Sequence, residues 1–230
     1  MKNLRKAFVS FMKKTDFFSI PLFFLFLLAS IFFSACQAPA ASESSSPEKT
    51  SELTTEKDND VYTDPSTLPN TMASWWFKRN ENHEIPEVQN EIDLTKYDAW
   101  YAKTDITDGE KPVFLTFDCG YENGYTPGIL DVLKKHKAPA AFFVCKHFIE
   151  DQPDLIKRMK EEGHVVGNHT SNHICMPESD ERTIREEIAD NANYMKEATG
   201  YEMDPFFRPP KGEYSERTLQ ITKNMGYTTV

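Results

Sequence analysis

The sequence predicts an α/β fold in which parallel strands alternate with helices packed outside them, and three observations predict it. From Pro112 onward, short apolar runs of strand length alternate with amphipathic stretches of helical period. The junctions carry helix start and stop residues, with Ser179 or Asp180 and then Ser215 ahead of two helices and Gly163, Gly200 and Gly226 behind three. Finally, Asp118, His169 and Arg208 each follow an apolar run directly, which is where parallel strands gather functional groups.

Taken in order, residues 113–117 read as a buried strand. Residues 127–137 form a short helix with Ile129, Leu130 and Leu133 inward, and 140–144 a second strand. Residues 153–162 place Leu155, Ile156 and Met159 on one helical face, and 164–167 return as a third strand. A long helix carrying Ile184, Ile188 and Met195 closes at Gly200, and Phe206 and Phe207 make a fourth strand. The helix capped by Ser215 ends at Met225, and 227–230 begin a fifth strand. Such alternation fits an open sheet or a (β/α) barrel, and periodicity does not separate the two.

The region before Pro112 is organised differently. A basic stretch (Lys2, Arg5, Lys6, Lys13, Lys14) precedes an uncharged run, 17–35, rich in Phe and Leu. That run approaches bilayer thickness and ends in Phe33-Ser34-Ala35-Cys36. Residues 1–36 thus read as an export signal of lipoprotein type with Cys36 lipidated. An uncleaved membrane anchor and ordinary cleavage near Ala35 are the other two readings, and all three place the rest outside the cytoplasm, anchored at the outer face of the cell membrane in the first two. Residues 37–68 are dominated by Ser, Thr, Glu and Pro and read as a disordered tether. Residues 69–110, with Trp75, Trp76, Phe77, Tyr97, Trp100 and Tyr101, read as an N-terminal extension packed on the domain, the alternative being a sugar-stacking platform. The net charge of −10 argues against a nucleic-acid partner, since phosphate binding needs clustered Lys and Arg.

Three motifs carry chemistry. His169 and His173, four apart, face one point if the segment between them turns helically, and neutral imidazoles so placed suit a divalent metal, Zn²⁺ by donor type. Asp118 opens a Gly- and Asn-rich loop, where a turn aspartate is the plain alternative. Arg208 is held by Pro209 and Pro210, so its guanidinium starts from a fixed place and can orient a carboxylate as a general base needs. Of the cysteines, Cys145 reads as a small buried hydrophobe, while Cys119 and Cys175 lie beside proposed site residues.

The order and spacing of Thr116-Phe117-Asp118-Cys119-Gly120, His169-Thr170-Ser171-Asn172-His173 and Arg208-Pro209-Pro210-Lys211-Gly212 resemble the polysaccharide deacetylases of carbohydrate esterase family 4, the NodB-homology domain. The resemblance covers about 111–230. It implies a distorted (β/α) barrel, C-terminally truncated here because the chain stops at Val230 before the Leu-x-x-His motif whose histidine serves that family as general acid. It also implies Asp118 as general base, His169 and His173 as metal ligands, and Arg208 orienting Asp118. The expected reaction is metal-dependent removal of N-acetyl groups from amino sugars of peptidoglycan. The longer stretch from Asp118 to Thr126 resembles the branch acting on N-acetylmuramic acid on the way to δ-lactam in spore cortex.

Cys119 stands where most of that family has a metal-binding aspartate. Two readings follow: a metal site resting on the histidines and water, or a thiolate ligand from Cys119. Beyond this, a catalytically inert glycan-binding lipoprotein on the same fold and a deacetylase for chitin- or xylan-like polymers are the alternatives for the whole chain.

Overall fold

The computed structural model describes residues 62–79, 81, 84–88, 92–104 and 112–230. The export signal with Cys36, and all of the tether before Tyr62, lie outside the described residues. Among the described residues no helix is long and apolar enough to cross a membrane.

Five strands form one all-parallel sheet: β2 (Thr116–Cys119), β3 (Ala141–Val144), β4 (Val165–Asn168), β5 (Phe206–Phe207) and β7 (Thr228–Thr229). Their spatial order is their sequence order, so each crossover steps to the next neighbour in one direction. This is the winding of a (β/α) barrel rather than of a doubly wound sheet, which reverses at a switch point. Among the described residues the sheet is open. The outer side of β7 is covered by Asp98–Trp100, where Thr229 N–H donates to Asp98 O (3.1 Å) and Trp100 N–H donates to Thr229 O (3.0 Å).

The helices are α1 (Thr126–His136), α2 (Lys146–Asp151), α3 (Pro153–Glu161), α4 (Glu181–Thr199) and α5 (Glu216–Asn224). Their ends follow local chemistry. The Asp180 carboxylate accepts from Thr183 N–H at 2.8 Å, and Gly200 closes α4 at φ 81. Ser215 and Thr218 form a reciprocal capping box at α5. The short α2 carries no period of its own that separates it from a loop, and the sequence reading passes over it.

Alternation along the strands divides the sheet into two faces. Phe117, Cys119, Phe142, Val144 and Val166 fall in the main core with Leu130 and Leu133 of α1, Phe148 and Ile149 of α2, Ile156 and Met159 of α3 and Met195 of α4. Phe117 is only partly buried, and each large apolar side chain fully buried there contributes about 1.5–3 kcal/mol relative to exposure. The opposite face carries Ala141, Phe143, Val165 and Phe206 in a smaller cluster with Val230. Thr116 and Asp118 belong to this second face by alternation, and both are exposed.

Two expectations are corrected. The first strand begins at Thr116 rather than 113, because pairing starts only where β3 lies alongside, and Val113 is 81% exposed. It also ends later, at Cys119 rather than 117, and so runs through Asp118, which sits in register opposite Phe143. In addition, packing begins ahead of position 69. Pro65 is buried in a 3₁₀ turn, Asn224 Nδ2 donates to Thr63 O (2.8 Å), and Arg217 N–H donates to Pro69 O (3.1 Å).

The extension then adds a small antiparallel pair. β1 (Ala73–Ser74) lies against β6 (Glu213–Tyr214), and Trp75 meets Tyr214 edge-on with ring centroids 4.5 Å apart. Trp76 and Phe77 remain exposed.

Candidate active site

The site gathers at the C-terminal ends of β2, β4 and β5. Gly167 sets its floor. A Cβ there would lie 2.8 Å from both the Phe143 ring and Phe206 O, so only glycine lets the Phe143 ring cross β4. The Arg208 guanidinium sits over that ring, 4.3 Å from its centroid. From this seat Arg208 Nη1 donates to Asp118 Oδ1 (3.0 Å) and Thr116 Oγ1 (2.9 Å), and Nε donates to Val230 O (3.3 Å). The Asp118 side chain keeps 47% of its surface exposed against 24% for Arg208. The carboxylate is thus oriented from one side and open on the other.

The Arg208 main chain ties this pair to the histidines. Its N–H donates to Asn168 O (3.0 Å), and its carbonyl lies 2.7 Å from His169 Nδ1. A carbonyl only accepts, so Nδ1 carries the proton and a neutral His169 ring leaves Nε2 free. Burial pushes the His169 pKa below its ordinary value, and the bond to the Arg208 carbonyl offsets part of that shift. The rings of His169 and His173 lie 5.0 Å apart, close to perpendicular.

The segment between the histidines is not the helical turn the spacing suggests. Thr170 and His173 both adopt left-handed backbone, φ 64 and φ 55. That is costly outside glycine, about 1–3 kcal/mol for each residue so held. The conformation is imposed from below. Asn168 Oδ1 accepts from Thr170 N–H (2.9 Å) and from Asn191 Nδ2 (3.1 Å), while Asn168 Nδ2 donates to Ile188 O (2.8 Å) and Tyr227 Oη (3.3 Å). Asn191 Nδ2 also donates to Val144 O at 2.8 Å. Asn168 and Asn191 are fully buried. Asn191 lies in the apolar stripe of α4 with Ile184, Ile188 and Met195, and a polar residue on such a stripe was the signal that could have found it.

Cys119 does not join the group. It points to the helix-side face with Leu130 and Val144, away from Asp118, and burial pushes its thiol up to about 12. That environment favours the protonated thiol rather than a thiolate ligand. Cys145 is held similarly at about 12, burial again being the main cause, and donates to His169 O (3.3 Å). Cys175 is half-buried, with burial and a bond to Glu213 raising its pKa.

Among the described residues no group of three or more His, Cys, Asp or Glu converges as a metal site. The donor set nevertheless fits a divalent ion as two of its ligands. A neutral imidazole fixed through Nδ1 with Nε2 free is the form in which histidine binds metal, and His173 stands beside it. Beyond Arg208 the chain turns through Pro210–Gly212, where Lys211 adopts left-handed backbone at φ 58. Tyr121 and Tyr125, in the loop after Asp118, are strongly exposed.

The structure thus sets an Arg-held carboxylate and a histidine pair at the C-terminal end of a singly wound parallel sheet. The chain belongs to the polysaccharide deacetylase family, whose profile matches residues 105–230. Over 165 residues it is 44% identical to the peptidoglycan-N-acetylmuramic acid deacetylase PdaA of Bacillus subtilis, covering 71% of this chain and 62% of that protein. The solved structure of B. subtilis PdaA, a family 4 carbohydrate esterase, matches with a TM-score of 0.66 over 71% of this chain and 69% of that one. A family 4 carbohydrate esterase from Bacillus anthracis matches with a TM-score of 0.60 and 41% identity, over 71% and 73% of the two chains. A peptidoglycan-N-acetylglucosamine deacetylase of Bacillus cereus is 33% identical over 144 residues, 62% of this chain and 64% of that protein. The chain spans about three fifths of the length of the first two relatives it matches.

Proposed function

We propose that this protein hydrolyses the N-acetyl group of amino sugars in peptidoglycan, with N-acetylmuramic acid as the sugar attacked. The observation that carries the reading is the Arg208–Asp118 pair, 3.0 Å apart, beside two histidines at the neighbouring strand ends. The preference for muramic acid rests on the higher identity to the muramic-acid enzyme, 44% against 33% for the glucosamine enzyme. On this reading the glycan strand of peptidoglycan is the partner, and δ-lactam formation in spore cortex is the setting.

Asp118 acts as general base, taking a proton from the attacking water through its exposed side while Arg208 holds its other oxygen in place. A backbone N–H near Pro209 and Pro210 would donate to the oxygen that gains charge when the acetamide is attacked; the two prolines themselves have none to give. His169 and His173 would hold a divalent ion, Zn²⁺ by their chemistry, which when bound polarises the acetamide carbonyl and lowers the pKa of water. Export through residues 1–36, with a lipid on Cys36 and attachment to the outer face of the cell membrane, belongs to the same proposal.

The test is acetate release from N-acetylated peptidoglycan by the Zn²⁺-supplemented chain, compared with Asp118→Asn, followed by counting free amine on muramic acid and on glucosamine. Release that disappears in Asp118→Asn upholds the reading. A folded chain that binds glycan and releases no acetate overturns it in favour of an inert glycan-binding protein. That second reading draws on one observation, the lack of a third protein ligand beside the histidines among the described residues.

A further inference from the structure

The two left-handed residues of the histidine loop need more than the buried asparagines to hold them, because Asn168 reaches only as far as Thr170. What holds the middle of the loop is a single residue of α4. Ser171 N–H and Ser171 Oγ both donate to Glu187 O, each at 3.1 Å. The Glu187 carboxylate then takes Asn172 from two sides, Oε2 accepting from Asn172 N–H (2.7 Å) and Oε1 from Asn172 Nδ2 (2.6 Å). These are short, charge-assisted bonds in a two-pronged geometry.

Among the described residues Glu187 forms no ion pair, so its carboxylate is spent on Asn172. Nor does it stand alone. Asn191 lies one turn further along the same helix face, and the Ile188 carbonyl accepts from Asn168. One face of α4 thus grips the loop from Asn168 to Asn172, and the clamped pair Ser171–Asn172 makes up two of the three residues between His169 and His173.

We infer that Glu187 is a positioning residue for the histidine pair, fixing His173 relative to His169 through Asn172 and so setting their affinity for a divalent ion. The inference rests on the reading of His169 and His173 as metal ligands. Removal of a group that orients metal ligands in this way typically weakens metal binding by about 10–100-fold.

The experiment titrates Zn²⁺ against a competing chelator in the whole chain, for wild type, Glu187→Ala, Glu187→Gln, Asn172→Ala and His173→Ala, with melting curves of the metal-free proteins alongside. Glu187→Ala is expected to weaken Zn²⁺ binding by about 10–100-fold. Glu187→Gln is expected to recover most of that loss, since its oxygen can accept from Asn172 N–H and its amide can donate to Asn172 Oδ1 once that side chain flips. Asn172→Ala, an exposed site, falls between them and carries the test if Glu187→Ala melts too low to assay. Unchanged Zn²⁺ affinity in a folded Glu187→Ala or in Asn172→Ala overturns the role of Glu187. Equal losses in Glu187→Ala and Glu187→Gln overturn it too, because they point to charge rather than to the clamp. Wild-type affinity in His173→Ala overturns the underlying metal site instead, and the role of Glu187 toward it falls with that reading.

Discussion

The two halves of the site are held in opposite ways. Asp118 stands on β2, the edge strand of the sheet among the described residues, half exposed, and its carboxylate is held by the Arg208 guanidinium. The histidine loop stands mid-sheet on strained backbone fixed from α4 and β4, with His169 itself buried. The difference teaches that the group proposed to exchange protons with water is left accessible on a single tether, whereas the groups proposed as ligands are fixed by the fold. Substitutions at the first half are therefore expected to read out in rate, and those around the floor of the site and in the core in stability.

The largest expected effect breaks the first half alone. Asp118→Asn keeps an acceptor for Arg208 and loses the base, so kcat for acetate release is expected to fall by about 10²–10⁴-fold with little change in melting temperature. Arg208→Lys tests the tether. One ammonium cannot hold Thr116 and Asp118 while stacking on Phe143, and a misplaced base is expected to cost about 10²-fold in kcat, more than in KM.

Gly167→Ala asks whether the floor of the site couples the halves. The added methyl meets the Phe143 ring and Phe206 O, and a loss of about 1–3 kcal/mol in denaturant unfolding is expected together with a lower rate, because the Arg208 seat shifts. Cys119→Ser sharpens the boundary of the site. It places a hydroxyl in an apolar cluster, with an expected cost of about 1–3 kcal/mol of stability and no change in bound Zn²⁺. A drop in Zn²⁺ binding there would restore the thiolate.

The smallest effect lies outside both halves. Burial pushes the His164 pKa below its ordinary 6.5, while its Nδ1 accepts from Ala140 N–H at 3.1 Å. The folded state therefore binds fewer protons than the unfolded one, so this contribution is whole above 6.5 and is lost as pH falls from there through the folded pKa. His164→Asn keeps an acceptor for Ala140 without a titrating ring. Melting temperatures of the two proteins between pH 7 and 5 are expected to converge toward the acid end; parallel curves would remove His164 as the cause.

What could be read from the sequence followed from how locally each feature is encoded. The alternation of apolar runs, the caps at Asp180 and Ser215 and the stop at Gly200 are written within a few residues of where they act. Asp118 and Arg208 were legible because each ends an apolar run, and the structure brings them together at 3.0 Å. The backbone of the histidine loop was not legible, since spacing suggests a helical turn and the left-handed residues are imposed by distant Asn191 and Glu187. Nor was the face that Cys119 occupies, because it depends on β2 running on to Cys119, and a strand drawn from its apolar residues alone ends at Phe117. Gly167 was a quieter signal: a glycine inside an apolar strand marks a close approach, and here the approach is by Phe143.

The pairing of β1 with β6 has a consequence for the order of assembly. Gly212 sits at φ 67 with Trp75 Cβ only 3.0 Å from where a methyl would be, and Trp75 N–H donates to Gly212 O at 2.7 Å. The turn bearing Lys211 is thus shaped partly by residues near the start of the described chain, and Ala73 must wait for Tyr214 before the two can meet. Contacts so remote in sequence form slowly, because the loop between them must first be closed. The helices and the neighbouring strands β2 to β4 can gather from nearby partners, whereas the Lys211 turn matures only when the two ends of the described chain are brought together. Refolding followed by catalysis should therefore lag refolding followed by helix content.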